Sequence, residues 1–488
     1  MNSPMIRTLL GHVLKIEGAL MLLPCLVAII YQEKVGFIYL AVAGATALIG
    51  TALSFFKPAN TALYLKEGCI TTALSWIALS FFGCLPFCIS GEIPSFTNAL
   101  FETISGFTTT GASILNDVES LSHTALFWRS FTHWVGGMGV LVFLLAVVPL
   151  SGGSTINLLK AESPGPSVGK LVPKMKATAR NLYSIYALLT LLQILFMLAG
   201  GCPAFDSITL SLGTAGTGGF GVRNDSLASY SPYIQWVVTF FMICFGVNFN
   251  FYYFLIMKRF KEAFHIEEVK YYLCIIIAAV IIIFLNIYRI FGSAGEALRH
   301  SAFQVASIIT TSGFCTTDFD TWNTTCRMII VLLMFIGACA GSTGGGIKVS
   351  RFVVMLKNFK REVNSYIHPK SVKSIMFEHK SADETMVASI SVYLITFIMI
   401  FIPSLLLITL DNMDLTSSFT AVATTINNIG PGLNLIGPTR NFYELSTLSK
   451  YVLMFDMLAG RLELFPLLIL FHPGSIKALI TSRKKKKI

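Results

Sequence analysis

Charged residues are scarce in this chain of 488 residues. Only 12% of the residues are Asp, Glu, Lys or Arg, whereas 54% are apolar. Uncharged apolar stretches as long as the roughly 20 residues that cross a bilayer occur repeatedly, for example at 35–56, 69–91, 183–205, 271–288 and 386–410. So little charge excludes a soluble globular protein, and the long apolar stretches predict a polytopic membrane protein.

Motifs for catalysis and for metal binding are missing as well. The ten cysteines lie mostly inside apolar stretches, and Cys84 and Cys88 have no second pair to complete a tetrahedral site. No nucleophile triad is evident, and the segment Gly344-Gly-Gly-Ile-Lys348 lacks the spacing and the preceding strand of a phosphate-binding loop. We therefore expect neither an enzyme nor an organic cofactor on this chain.

Positive charge is confined to a few segments. Most of the 36 Lys and Arg residues fall, after long apolar stretches, within 57–66, 151–182, 258–270, 348–380 and 477–487. These segments should face the cytoplasm, and the acidic connections between them should face outward. The net charge of +11 then belongs to the inner membrane face, which disfavours nucleic acid as a partner and predicts contact of the basic C-terminus with anionic lipid.

A short motif rich in Gly and Thr occurs four times. Its copies are Thr108-Thr-Thr-Gly-Ala-Ser113, Ala215-Gly-Thr-Gly-Gly-Phe220, Thr310-Thr-Ser-Gly-Phe-Cys315 and Asn427-Asn-Ile-Gly-Pro-Gly432. An alignment on one glycine of each copy, with intervals of 107, 95 and 117 residues, pairs Gly111, Gly218, Gly313 and Gly430. Such spacing predicts four diverged copies of one structural unit.

Each copy follows a short segment between two apolar spans. In the first copy this segment is Ser95 to Thr108, which is too short to cross a bilayer but long enough for three helical turns. Non-helical backbone at membrane depth is costly unless it is buried in protein or lines an aqueous path. With two preceding spans near 9–31 and 36–56, we expect ten spans and four re-entrant hairpins.

The predicted fold class is an all-α integral membrane protein. Four pseudo-repeats of span, pore helix, filter loop and span surround one central pore, and two spans precede them. The expected units are two N-terminal transmembrane helices (1–60), pore repeat 1 (61–165), pore repeat 2 (166–262), pore repeat 3 with an intramembrane loop (263–372), and pore repeat 4 with a basic tail (373–488).

The glycine motifs are suited to replacing the water around a cation. Backbone carbonyls supply oxygens without a titrating side chain, and glycine tolerates the backbone geometry required. The C-terminal ends of the pore helices carry partial negative charge, which favours a cation over an anion. The candidate ion ligands are Thr109, Thr110, Gly111, Thr217, Gly218, Gly219, Thr311, Ser312, Gly313, Asn428, Ile429 and Gly430. A simpler interpretation, in which Gly and Thr only allow close helix packing, is disfavoured by the four copies in register.

The chain resembles the Trk/Ktr/HKT superfamily of potassium transporters, and its two extra N-terminal spans resemble the TrkH branch. The most specific segments are His133-Trp-Val-Gly-Gly-Met-Gly139, Ala340-Gly-Ser-Thr-Gly-Gly-Gly-Ile-Lys348, Asn427 to Gly432 and Gly460-Arg-Leu-Glu463. This resemblance implies potassium as the transported ion and a multi-pass protein of the bacterial inner membrane. It also implies a homodimer, with a cytoplasmic nucleotide-binding ring of TrkA type as regulator.

The third repeat contains a run that opposes helix. Three consecutive glycines should break the span that begins near Met328, since each interior glycine costs about 1 kcal/mol relative to alanine. By resemblance, the broken segment is an intramembrane gate beneath the filter. The candidate gate residues are Gly341, Ser342, Thr343, Gly344, Gly345, Gly346, Lys348 and Arg461.

Arg461 is an ionised side chain inside an apolar span, and such residues usually face a cavity or a partner. We expect it to form hydrogen bonds with the gate loop and to act as an electrostatic barrier; a side chain that reaches lipid phosphate is the alternative. Glu463 is a candidate counter-charge. The position of Asp456 is left open between the vestibule and a buried, protonated site.

Two other functions remain as alternatives. A secondary transporter would have inverted repeats and paired broken helices, whereas these four units run parallel. Sodium permeation in the same architecture is the other. Sodium-favouring members resemble this pattern but have Ser at the first filter glycine, where this chain has Gly111, so the resemblance favours potassium.

Overall fold

A computed structural model describes residues 1–56, 58, 60, 62–139, 175–369, 374–378, 380–381 and 384–477. Most of the predicted basic segment 151–182, the boundary between repeats 1 and 2, and nearly all of the basic tail lie outside the described residues. The helices in the first half are α1 (Ser3–Leu20), α2 (Leu22–Tyr31), α3 (Gly36–Ser54), α4 (Leu65–Ser90), α5 (Phe96–Phe107), α6 (His123–Gly137), α7 (Met175–Ala199), α8 (Ala204–Gly216), α9 (Pro232–Gly246), α10 (Phe249–Ile256) and α11 (Phe260–His265).

The second half has the same helical character. Its helices are α12 (Glu267–Ile287), α13 (Ala294–Ile309), α14 (Thr324–Phe335), α15 (Val349–Ile367), α16 (Glu384–Ile408), α17 (Leu415–Ile426), α18 (Thr447–Arg461) and α19 (Phe465–Phe471). Two short strands, β1 (Met376–Phe377) and β2 (Lys380–Ser381), pair antiparallel between α15 and α16.

Within the residues that the structure describes, six helical segments are long and apolar enough to cross a membrane. They are Ser3–Tyr31, Gly36–Ser54, Leu65–Ser90, Arg180–Ala199, Glu267–Ile287 and Glu384–Asp411. The predicted apolar stretches are therefore confirmed as helices. A seventh span is possible if α9 and α10, which meet at 91°, cross as one. The expectation of ten spans includes shorter helices such as α14 and stays a prediction.

Four short helices occupy the places predicted for pore helices. They are α5, α8, α13 and α17, with 12, 13, 16 and 12 residues. At 1.5 Å per residue, 12 residues extend only about 18 Å, well short of a hydrocarbon core of about 30 Å. Each of these helices can therefore enter the membrane but cannot cross it.

The fourth of these short helices, α17, begins at a charged cap. The carboxylate of Asp414 accepts hydrogen bonds from Ser417 N, at 3.1 Å, and from Asn434 Nδ2, at 2.8 Å. Burial raises the pKa of this carboxyl, but hydrogen bonds from Ser417, Asn434 and the backbone outweigh burial, so the net pKa lies below the ordinary value. The ionised carboxylate complements the partial positive charge at the helix N-terminus.

Helices α1 and α3 pack backbone against backbone through small residues. A Cβ on Gly50 of α3 would lie 2.7 Å from the carbonyl oxygen of Gly11, and a Cβ on Gly18 would lie 2.7 Å from that of Ala43. Helices in a membrane gain no hydrophobic driving force from contact with one another, so their association depends on close packing. Small residues at such positions allow that close approach.

This packing predicts an unequal effect of two matched substitutions in α3. Gly50→Leu should lower the melting temperature of the detergent-purified protein, because its side chain has no room against α1. Gly44→Leu should leave it unchanged or slightly raised, because nothing lies within 4 Å of a Cβ at Gly44. Equal melting temperatures for the two variants would contradict this packing.

Candidate ion filter and gate

All four of these short helices, α5, α8, α13 and α17, end in the same hydrogen-bonded turn. In the first, Thr109 N donates to Gly106 O at 3.1 Å and Thr110 N donates to Ser105 O at 2.9 Å. The same two bonds close α8, α13 and α17, through the amides of Thr217, Gly218, Thr311, Ser312, Asn428 and Ile429. This pair of bonds is a Schellman C-cap, which requires a left-handed residue just past the helix.

That left-handed position is not glycine in any copy. Its occupants, at φ between 54° and 59°, are Thr109, Thr217, Thr311 and Asn428. Asparagine tolerates this region, but a β-branched threonine there is a steric outlier. Three such residues at equivalent places mark strain that the surrounding structure maintains, and strain of this kind clusters at functional sites.

Two residues after each strained position comes a glycine that also has positive φ. These are Gly111 at 77°, Gly219 at 81°, Gly313 at 78° and Gly430 at 101°. At each of these glycines, a backbone carbonyl group of another loop lies where a Cβ would have to be. A Cβ on Gly111 would overlap the carbonyl oxygen of Gly218, and one on Gly219 would overlap that of Ser312.

The same relation completes the circle. A Cβ on Gly313 would overlap the carbonyl oxygen of Ile429, and one on Gly430 would lie 2.8 Å from that of Thr110. Each loop therefore touches the next, and the fourth touches the first. The four loops, although distant in sequence, form one closed ring of backbone.

This geometry corrects the predicted register of the second loop. Gly219, rather than Gly218, has the positive φ and the contact shared by Gly111, Gly313 and Gly430. A Cβ on Gly218 would instead overlap the imidazole ring of His133. The equivalent stretch is therefore 216–221, one residue later than the aligned one.

Side chains brace three of the loops. The hydroxyls of Thr108 and Thr110 lie 2.8 Å apart, and in the third loop the hydroxyls of Thr310 and Ser312 are also 2.8 Å apart. Asn428 in the fourth loop donates from Nδ2 to Thr110 Oγ1 at 3.0 Å. These bonds join the fourth loop to the first and stiffen the turn in the first and third.

The predicted helix break is present, but it begins earlier than expected. Helix α14 ends at Phe335, and helix resumes only at Val349 in α15. The neck of the intervening loop is closed by a hydrogen bond from Gly337 N to Ile347 O at 2.8 Å. A Cβ on Gly337 would overlap the carbonyl oxygen of Gly345, so this glycine is where the span departs from helix.

The loop 336–348, which we call the gate loop because it holds most of the candidate gate residues, lies directly against this ring of backbone. Gly345 N donates to Thr311 Oγ1 at 2.7 Å, and a Cβ on Gly345 would lie 2.7 Å from Asn427 O. On another side Cys339 N donates to Gly246 O at 3.0 Å, at the end of α9. The gate loop thus contacts the third and fourth loops of the ring.

Two buried charged residues hold the gate loop. Lys348 Nζ donates to the carbonyls of Gly344 and Gly345, the latter at 3.0 Å. The lysine, itself part of the gate loop, therefore provides hydrogen bonds to two of the loop's backbone oxygens. Glu268 Oε1 accepts from Ala340 N at 2.7 Å and from Ser350 N at 2.9 Å. One carboxylate oxygen of α12 therefore binds the backbone on both sides of the glycine run.

Arg461 joins the gate loop to a second helix. Its Nη1 donates to Thr343 O at 2.9 Å, and its Nη2 donates to Gly136 O at 2.5 Å and to Gly137 O at 2.7 Å at the end of α6. A guanidinium presents several donors in a fixed plane and keeps its charge, so it can bind three carbonyls at once.

Comparison with known proteins agrees with this architecture. The chain matches the TrkH family, described as cation transport proteins, over residues 38–476. This chain belongs to the TrkH family. The Trk system potassium uptake proteins TrkH of Salmonella typhimurium and Escherichia coli are each 34% identical to it over 481 residues, which cover 97% of this chain and 99% of each relative.

A solved structure is similar over the same length. The crystal structure of the potassium transporter TrkH from Vibrio parahaemolyticus superposes with a TM-score of 0.87, at 30% identity, and covers 97% of this chain and 100% of that one. Together with the apolar spans, membership of the TrkH family identifies a multi-pass protein of the inner membrane.

Two acidic residues close to Arg461 in the sequence have distinct surroundings. The carboxylate of Glu463 accepts a hydrogen bond from Arg351, whose guanidinium lies 3.8 Å from the ring centroid of Tyr393. Asp456 is fully buried, and its Oδ1 accepts from Ser404 Oγ of α16 at 2.8 Å. Of the two positions left open for Asp456, the structure favours the buried one, in the packing between α16 and α18.

Sequence reasoning missed a buried ion pair beside the ring. Arg129 of α6 and Glu102 of α5 lie 2.7 Å apart with side chains 2% and 0% exposed. The available signal was one ionised residue in each of two apolar segments of the first repeat, which is rare without a partner. Glu268 was missed as well, because it stands beside Glu267 and Lys270 in a charged segment.

Proposed function

We propose that this TrkH-family chain mediates potassium uptake through a channel-like pore. Four loops supply backbone carbonyls that replace the hydration shell of the ion. The proposal is supported above all by the closed ring, in which each positive-φ glycine abuts a carbonyl of another loop. The named relatives, potassium uptake proteins of Trk systems, support the choice of ion.

The chemistry of such a ring is the exchange of water oxygens for protein oxygens. The ion ligands in this proposal come from the strained residue, the residue after it and the glycine of each loop, with carbonyls as the main donors. Four helices end at the ring, and their C-terminal partial charges favour a cation there. No side chain changes its protonation in this step.

Flux in this proposal is controlled by the gate loop. Its glycines allow the backbone to withdraw from the ion path, and Lys348, Arg461 and Glu268 hold it in place through the hydrogen bonds described above. A cytoplasmic nucleotide-binding ring of TrkA type would bind the basic inner segments, especially 348–380, and the chain would act as a homodimer.

Growth rescue tests the proposed function. The chain, expressed in a bacterium without potassium uptake, should restore growth at limiting potassium and should take up rubidium. Gly111→Ser should weaken the preference for potassium over sodium, because a Cβ at this position would overlap Gly218 O. Expressed, membrane-inserted protein that neither rescues growth nor carries rubidium would overturn the proposal.

Liposomes distinguish a conduit from a carrier. Purified protein should pass potassium and rubidium passively, at rates that depend only on the gradients of permeant cations. A flux that requires a proton or solute gradient would favour an ion-coupled secondary transporter. Equal permeation of sodium and potassium would instead favour a sodium-permeable pore of the same architecture.

A further inference from the structure

The second filter loop lacks the side-chain brace of the first and third loops. Where those loops have paired hydroxyls, the second has Gly216 and Gly218, with no side chain at either position. Glycine has the largest backbone freedom of any residue, so this loop loses the most entropy when it is fixed. The ring nevertheless requires its carbonyls to be as well positioned as the others.

The brace comes instead from one face of α6. His133 Nδ1–H donates to Gly106 O at 2.7 Å, and His133 Nε2 accepts from Phe220 N at 3.3 Å. The imidazole also fills the space beside Gly218, where a Cβ would overlap it. One side chain thus ties the first pore helix to the second loop.

One turn away, Arg129 holds the same loop. Its Nη1 donates to Gly221 O at 3.3 Å, and its guanidinium lies 4.1 Å from the ring centroid of Phe220. A guanidinium over an aromatic face is attracted by the ring quadrupole, and more strongly when both are desolvated. Arg129 therefore contacts the second loop at a backbone oxygen, that of Gly221, and at a side chain, that of Phe220.

Glu102 orients that arginine. It accepts from Arg129 Nε at 2.9 Å and from Arg129 Nη2 at 2.7 Å. It also accepts from Ser113 Oγ and Ile114 N, each at 3.0 Å, just after the first filter loop. The carboxylate therefore links the arginine that holds the second loop to the backbone of the first.

We propose that Arg129 and Glu102 are positioning residues that fix the second filter loop and thereby set ion discrimination. The inference rests on the proposed function of the four loops as a filter. Selectivity depends on how many carbonyls coordinate the ion and how rigidly they are held. A loop without its own brace depends on this external one.

Arg129→Lys tests the inference, because lysine keeps the charge but loses the planar fork and the stacking. In proteoliposomes, the ratio of rubidium to sodium flux should fall roughly tenfold, a change in discrimination of about 1.4 kcal/mol. Arg223→Lys is the matched control. Its guanidinium lies 4.3 Å from the Tyr230 ring centroid and 3.6 Å from Asp206, but its side chain is 38% exposed, so the ratio should not change.

The outcomes separate the inference from the proposed function. Wild-type protein that does not discriminate rubidium from sodium, and that Gly111→Ser does not alter, would contradict the filter itself. Wild-type discrimination that Gly111→Ser weakens and Arg129→Lys preserves would overturn only the role of Arg129. A merely structural role would lower the yield or the melting temperature without moving the ratio.

Two further variants apply if Arg129→Lys does not assemble. Glu102→Gln keeps an acceptor oxygen for Ser113 and Ile114 but removes the charge that orients Arg129. Phe220→Leu removes the ring beneath the guanidinium, which also lies 4.2 Å from the imidazole of His133, between ring centroids. Both should lower the flux ratio, and an unchanged ratio in either assembled variant would overturn the inference.

Discussion

Gly219→Ala should abolish growth at limiting potassium and should reduce rubidium uptake roughly tenfold or more. The residue has φ of 81°, where a non-glycine residue costs about 1–3 kcal/mol. Its new Cβ would also overlap the carbonyl oxygen of Ser312, so the second and third loops must separate. Both effects act on the ring and leave the membrane spans intact.

Gly221→Ala is the control within the same loop. The nearest atoms to a Cβ on Gly221 are Arg223 O and Ser226 Cα, both at 3.5 Å, which is ordinary van der Waals contact. This variant should grow and take up rubidium like the wild type. Equal defects in the two variants, with both proteins present in the membrane, would mean that the loop tolerates no Cβ at either glycine. That result would remove the support for a ring contact specific to Gly219.

The long spans were predictable because membrane burial leaves a strong local signal. A stretch such as 386–410 has no charge over a bilayer thickness, and the structure has the helix Glu384–Ile408 there. The short helices were predictable by the opposite reasoning, since Ser95 to Thr108 is too short to cross and α5 spans Phe96–Phe107. In both cases the length and polarity of the segment itself predict the helix, and no knowledge of the segments packed against it is needed.

The register of the second loop was not predictable in this way. Its sequence has glycines at 216, 218, 219 and 221, so an alignment on glycine alone has several solutions. What selects Gly219 is the left-handed Thr217 two residues earlier and the carbonyl of Ser312 opposite. Neither a dihedral angle nor a contact across 93 residues is visible in the local composition.

The start of the gate loop shows the same limit. The residues just before the glycine run are apolar and are typical of a continuing helix, for example Ile336 and Ala338. The helix nevertheless ends at Phe335, because Gly337 packs against Gly345 in the second half of the gate loop. The three glycines locate the break, but its boundary depends on where the returning chain lies.

Arg461→Ala should raise potassium flux in liposomes roughly tenfold or more, provided that the gate loop is the barrier. The arginine donates three hydrogen bonds, one to Thr343 of the gate loop and two to the end of α6. A hydrogen bond from a charged group contributes about 1.5–3 kcal/mol, so loss of the bond to Thr343 alone is enough for a change of this size. Removal of a positive charge beneath the filter acts in the same direction for a cation.

Arg461→Lys separates these two causes. It keeps the positive charge but cannot span three carbonyls with one compact ammonium group, so flux should lie between the wild type and Arg461→Ala if the hydrogen bonds matter. If charge alone matters, Arg461→Lys should match the wild type. Lys360→Ala, which removes an exposed positive charge from helix α15, should leave flux unchanged in liposomes without a regulator. Wild-type flux in both Arg461 variants would mean that neither the hydrogen bonds nor the charge of Arg461 limits ion passage.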